Sequence, residues 1–185
     1  RGASFITASG GTPTTSGDYK IHAFTGPGTF TISSLASSPA NNIVEYLIVG
    51  GGGGGGSAGT GSPGGGGAGA GGWRSYSALA CASPLNAPAG ITVSAQAYPI
   101  VIGGGGATGG VNAPGSSGSN TTALGLTSTA GGFGAQVSPT NGGPGGSGGG
   151  TGGRPAATAG NGNTPPVSPS QGFPGGSTPT GVNAG

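Results

Sequence analysis

This sequence predicts a mainly β and irregular fold with essentially no α-helix. A small N-terminal antiparallel β unit is followed by a glycine-rich layer of polyglycine-II-like segments. Three observations carry the prediction. The chain holds 51 Gly and 16 Pro in 185 residues, more than a third of its length, and such a content breaks any helix of ordinary length. Residues 1–49 alternate with a period of two. Residues 142–154, "GGPGGSGGGTGGR", repeat with a period of three.

The first strands come from the period of two. In "YKIHAFT" Tyr19, Ile21 and Ala23 share one face, and Lys20, His22 and Phe24 the other. In "TFTIS" Phe30 and Ile32 share a face. Alternation of this kind reads as β-strand. "TGPGT" (Thr25–Thr29) separates the two as a turn, because Pro fixes φ and Gly accepts unusual backbone angles. "SFITA" at the start and "NIVEYLIV" before Gly50 complete a unit of about four short strands.

Beyond residue 49 the glycines set the structure. Ordering a backbone costs roughly 1–2 kcal/mol per residue, and glycine loses the most freedom while offering no side chain to bury. Backbone hydrogen bonds between neighbouring segments must supply the compensation. A three-residue repeat matches the polyproline-II helix, whose N–H and C=O groups point sideways and make no internal bonds. Where two residues in three are glycine, two faces are bare, and such helices can pack on more than one side. The absence of a strict G-X-Y repeat excludes collagen.

The phrase "YLIVGGGGGGGSAG" is echoed by "YPIVIGGGGATGG" (Tyr98–Gly110), an apolar strand running into glycines each time. The apolar stretch between them, residues 73–102, reads as a clasp. Trp73, Tyr76, Leu79, Leu85, Ile91 and Val93 are the expected second small core. The boundaries are 1–49 for the β unit and 50–185 for the glycine-rich domain, as one continuous module.

Few residues carry chemistry. The basic residues Arg1, Lys20, Arg74 and Arg154 are scattered, which is no footprint for nucleic acid. The single Cys81 excludes an intrachain disulfide framework and reads as a small buried apolar residue. No apolar run reaches the length of a membrane span. Asp18 and His22, four residues apart near a turn, read as surface strand residues rather than parts of a triad. Asp18 and Glu45 are the only carboxylates available for glycoside hydrolysis. One His, one Cys and two acids have no metal-ligand spacing. Gly51, Gly53 and Gly56 fit G-x-G-x-x-G only because the run is all glycine, and no Lys follows as a phosphate loop requires. No enzyme activity, cofactor or metal is therefore expected. "NTT" (Asn120–Thr122) fits the glycosylation pattern, which chance explains.

The stretches "GDYKIHAFTGPGTFTI" (Gly17–Ile32), "VEYLIVGGGGGGG" (Val44–Gly56), "GGAGAGGWR" (Gly66–Arg74) and "SAQAYPIVIGGGGATGG" (Ser94–Gly110) follow in an order that resembles the glycine-rich domain of bacteriophage tail-fibre and tail-tip adhesin proteins. That resemblance implies a sandwich of polyglycine-II helices with variable loops at one end. It also implies a non-enzymatic virion module that recognises the host surface. The implied partners are copies of itself, as a homo-oligomer and expected trimer, other virion proteins, and a host glycan or outer-membrane protein. Nucleic-acid binding and membrane insertion are not expected. The alternatives are a purely structural virion component, such as a head fibre or decoration, and a cellular secreted glycine-rich surface protein. The polar stretches Asn112–Thr122 and Gly160–Gln171 read as loops, where binding residues gather on a rigid scaffold. Phe133, Phe173, Asn120 and Asn163 are the candidate receptor contacts.

Overall fold

Short strands hand their hydrogen-bonding edges directly to glycine segments, and this continuity organises the molecule. The computed structural model describes residues 4–60, 62, 64–78, 84–137, 141–153 and 157–178. Leu79, Cys81, Arg1 and Arg154, named above, lie outside them. The described residues hold no α-helix, only a 3-10 turn at Pro39–Asn41. The chain is mainly β and irregular, as its sequence predicts.

The strands are β1 (Thr7–Ser9), β2 (Thr12–Ser16), β3 (Tyr19–Ala23), β4 (Gly28–Ser34), β5 (Ile43–Val44), β6 (Tyr46–Val49), β7 (Trp73–Tyr76), β8 (Ile91–Thr92), β9 (Ala97–Ile100), β10 (Thr121–Ala123) and β11 (Leu126–Ser128). All pair antiparallel. β4 lies between β1 and β9, while β2–β3, β5–β8, β6–β7 and β10–β11 form pairs. The clasp region is thus tied to the N-terminal strands through β7, β8 and β9. The period of two has its inner side opposite to Tyr19 and Ile21, which are both exposed. His22 and Phe24 turn inward instead, each meeting Phe30 edge-on, at 5.2 and 6.4 Å between ring centroids.

The apolar core is small. Ile32, Ile48, Val93 and Ile100 are buried. Asn42 is buried beside Ala36 and accepts its amide at 2.8 Å through Oδ1, so a polar side chain closes a backbone bond in the core. Trp73, expected as a core plug, is exposed. Its place on β7 opposite Val49 puts it on an outer face.

The glycine segments follow a rule of three. The β6–β7 register (Val49 opposite Trp73) continues as Gly50 N–H to Gly72 O, Gly53 to Gly69 and Gly56 to Gly66, at 2.9–3.0 Å. The Val101–Thr122 bridge continues in the same way, with Ser119 donating to Gly104 and Ser116 to Ala107. Segment 50–57 also donates to 113–120, from Gly51 to Ser119, Gly54 to Ser116 and Ser57 to Ala113. It accepts from Gly106 and Gly109 at Gly52 and Gly55, and from Gly131 and Gly134 at Gly51 and Gly54. Bonds every third residue on successive faces are what a three-fold helix without internal bonds makes with its neighbours.

These bonds define two layers. One runs in the order 103–110, 50–57, 64–72, 147–153 and 171–178. The other runs 113–120, 129–137, 141–146 and 158–163. Each segment of the second layer bonds to segments of the first, so the whole is a sandwich of polyglycine-type helices. The stretch 112–122, expected as a polar loop, is mostly the segment 113–120 and the start of β10. Its glycines, Gly115 and Gly118, come only every third residue because only one of its sides faces segment 50–57.

The glycine requirement is steric. The described glycines with positive φ are Gly10, Gly11, Gly17 and Gly125, all in strand connections and none in the tracts. Within Gly50–Gly56, a Cβ on Gly50, Gly53 or Gly56 would come closer than 3.0 Å to the carbonyls of Thr129, Gly132 or Ala135. On Gly51 or Gly54 it would crowd Gly104 or Ala107 in the same way. Only at Gly52 and Gly55 is the nearest atom at an ordinary 3.9 and 3.8 Å. Interior backbones approach so closely that hydrogen takes the place of a side chain.

Candidate functional site

Where the strands meet the sandwich, one end of the molecule gathers most of the candidate residues. Segment 158–163 ends at Asn163, whose φ of 49° is left-handed, a conformation Asn tolerates better than most residues. Asn163 Oδ1 accepts the amides of Val167 at 3.1 Å and Gln171 at 3.3 Å, and its Nδ2 donates to the Val167 carbonyl at 3.1 Å. These bonds close the turn 163–171 on itself, and Pro165, Pro166 and Ser168 remain exposed on its outside.

Gln171 then pins this turn to the sandwich. It is 1 % exposed. Its Oε1 accepts the Thr129 amide at 2.9 Å, and its Nε2 donates to Thr129 Oγ1 at 3.0 Å and to the Pro165 carbonyl at 3.1 Å. Its own carbonyl accepts the Trp73 amide at 2.8 Å. Beside it, the Ser128 hydroxyl donates to the Gly72 carbonyl. Sequence reasoning passed over Gln171. A lone Gln in a Pro/Ser-rich stretch gives no local sign that it is buried.

The candidate contacts fare differently from one another. Phe173 is 59 % exposed, two residues beyond the bond that joins Gln171 to Trp73. Trp73 (42 %) and its cross-strand partner Val49 (45 %) are exposed on β7 and β6. The indole N–H of Trp73 donates to Ser75 Oγ at 2.8 Å, fixing the ring on the surface. Asn120 is exposed, and its Oδ1 accepts the Ala130 amide at 2.9 Å. Ala130 in turn accepts from Gly146, and Gly146 accepts from Asn163. Asn120 and Asn163 thus sit on one bonded path at the same end. Phe133 lies three residues past Ala130, half-buried, where a Cβ on Gly143 would strike its ring.

Charge plays little part here. Asp18 sits in the β2–β3 turn and Glu45 between β5 and β6. His22 Nδ1 donates to the Gly10 carbonyl at 2.8 Å, and its Nε2 is buried without a partner. Among the described residues, no three His, Cys, Asp or Glu side chains come together as a metal site would need. No helix among them is long and apolar enough to cross a membrane. A surface depression of about 220 Å³ near the β2–β3 hairpin is lined by Thr12, Phe24, Thr25 and Pro27 and their neighbours.

A model of the glycine-rich domain matches residues 25–185. The chain belongs to this family. The match begins in the turn before β4 and takes in strands β4 to β11 together with every polyglycine-type segment. No curated protein and no solved structure matches the chain.

Proposed function

We propose that this chain is a non-enzymatic phage virion module, a fibre or adhesin component on the virion exterior that recognises the host cell surface. The observation that carries the proposal is the strand end of the sandwich. An ordered turn, 163–171, stands beside the exposed Trp73 and Phe173, and both are anchored to a scaffold fixed by backbone bonds. Exposed aromatic rings on a rigid frame offer flat apolar area at low entropic cost. They suit stacking on a glycan or filling a pocket in an outer-membrane protein. The nearly charge-free body gives little non-specific attraction, so contact depends on shape. The resemblance of roughly residues 10–110 to phage tail-fibre glycine-rich domains supplies the virion context, with copies of the chain and other virion proteins as neighbours.

The test is binding of the fluorescently labelled chain to a panel of bacterial strains. The reading expects retention on some strains, with Trp73→Ala and Phe173→Ala together removing at least nine-tenths of it while the melting temperature is kept. Binding to no strain, combined with firm attachment to a virion shell, would favour a purely structural virion component instead.

A further inference from the structure

The sequence has two Asn-Gly pairs, Asn141–Gly142 and Asn161–Gly162, and the fold treats them in opposite ways. Asn is a thermolabile residue. Its side-chain amide is open to attack by the next backbone nitrogen, most of all before glycine, which has no Cβ to shield that nitrogen. The attack is intramolecular, so its rate depends on how freely the two groups can meet.

At the first pair both groups are engaged. Asn141 Oδ1 accepts the Thr158 amide at 2.9 Å, and the Gly142 amide donates to the Thr158 carbonyl at 3.0 Å. Reaction there requires both bonds to break. At the second pair neither group is engaged. Asn161 is exposed, and its side chain has no hydrogen bond to any described residue. The Gly162 amide donates to none of them either.

We propose that Asn161 is a site of spontaneous covalent modification, through a cyclic imide formed with Gly162. The Gly162 nitrogen gives its proton to hydroxide from solvent and bonds to Asn161 Cγ. The Cγ–Nδ2 bond breaks, and that nitrogen takes up a proton from water and leaves as ammonia. Water then opens the five-membered ring. Opening at Cγ leaves Asp at position 161. Opening at the main-chain carbonyl leaves an isoaspartyl link, in which the chain runs through Cγ. No oxidant or reductant takes part.

The isoaspartyl link acts on a backbone that the sandwich fixes on both sides. The Asn161 carbonyl accepts the Gly145 amide at 3.0 Å, and the Asn163 amide donates to Gly146 at 2.8 Å. The link adds one backbone atom between these bonds and turns the Asn161 carbonyl into a carboxylate outside the main chain. Gly162 has no room to absorb the extra length, since a Cβ there would run into the Phe173 backbone. Asn163, whose side-chain bonds close the turn 163–171, shifts with it. Conversion therefore loosens the turn. Either product also adds a carboxylate to a chain whose only acidic side chains are Asp18 and Glu45.

Ageing of the full chain at mildly alkaline pH, followed by tandem mass spectrometry, tests this. In the folded chain Asn161 should convert about tenfold faster than Asn141 or more, as two hydrogen bonds of ordinary net strength imply. In urea the two pairs should convert at similar rates. Asn161→Gln, which must close a larger ring, should block the conversion at this position. Equal rates in the folded chain would overturn the inference. So would an Asn161 that stays intact while the unfolded chain converts. The isoaspartyl chain, separated by chromatography, should melt below the fresh chain, whereas Asn161→Asp, with the charge but an ordinary backbone, should melt with it. An isoaspartyl chain that melts with the fresh one would overturn the loosening of the turn. Host-cell binding has no part in the readout, so the adhesin reading and this one can fail separately.

Discussion

Gln171 and Thr129, forty-two residues apart, share two hydrogen bonds: the Gln171 side-chain oxygen accepts the Thr129 amide, and its nitrogen donates to the Thr129 hydroxyl. This pair joins the last segment of the sandwich to the start of segment 129–137 in a site closed to water. Truncation to Ala would remove the partner of the half-buried Thr129 N–H and hydroxyl and of the Pro165 carbonyl, and would open a cavity where the buried side chain stood. Gln171→Ala is expected to cost about 3 kcal/mol, a fall in melting temperature of roughly 6–12 °C. A loss below about 1 kcal/mol would mean that water satisfies these groups without penalty.

Asn163 separates backbone from side chain. Asn163→Gly keeps the left-handed backbone and removes the three side-chain bonds, whereas Asn163→Ala removes the bonds and strains the backbone as well. Denaturant unfolding should therefore rank the variants wild type, then Gly, then Ala, with the Ala chain weaker than the Gly chain by about 1 kcal/mol. Equal stability of the two variants would contradict the left-handed backbone at this position.

Tyr98 gives a pH signature. The Ser94 hydroxyl and amide both bond its phenolic oxygen, at 3.2 and 2.8 Å, and hold its pKa below the usual 10.0. The folded value then lies below the unfolded one. The contribution to stability is full above the unfolded value and fades as pH falls through the folded value. Tyr98 is solvent-facing, so the effect is small. Melting temperatures of wild type minus Tyr98→Phe, followed upward from pH 8, should rise toward pH 10. A flat or falling difference would contradict the bonding.

The sequence made the scaffold legible and hid its joints. The GGX rhythm of 142–154 and the doubled phrase at Tyr46 and Tyr98 point to three-fold helices entered from strands, because glycine spacing reports how many sides of a helix are crowded. The segment 113–120 escaped that reading, since G-S-S-G-S-N on the edge of a layer looks like a polar loop. The exposed place of Trp73 is hidden in the sequence for a related reason. Its hydrophobicity suggests a core, but the register of β7 against β6 decides its face, and that register is set by a partner strand. Gln171 and the β4–β9 pairing depend on contacts far apart in the chain, and no local pattern announces those. Of the candidate contacts, Phe173 is the one whose exposure leaves a whole aromatic ring available.

The central claim is that the run Gly50–Gly56 is a packed interior backbone rather than a linker. Thermal unfolding of Gly53→Ala and Gly52→Ala, compared in dilute solution, tests it most directly. At Gly53 the new Cβ collides with the Gly132 carbonyl, while at Gly52 its nearest neighbour is at 3.9 Å. Gly53→Ala should lose about 3 kcal/mol or more, and Gly53→Val should abolish folding. Gly52→Ala should be neutral or gain about 0.4–1 kcal/mol from the lost freedom of its unfolded chain. Equal melting temperatures for Gly52→Ala and Gly53→Ala would contradict it, because a linker does not distinguish neighbouring residues.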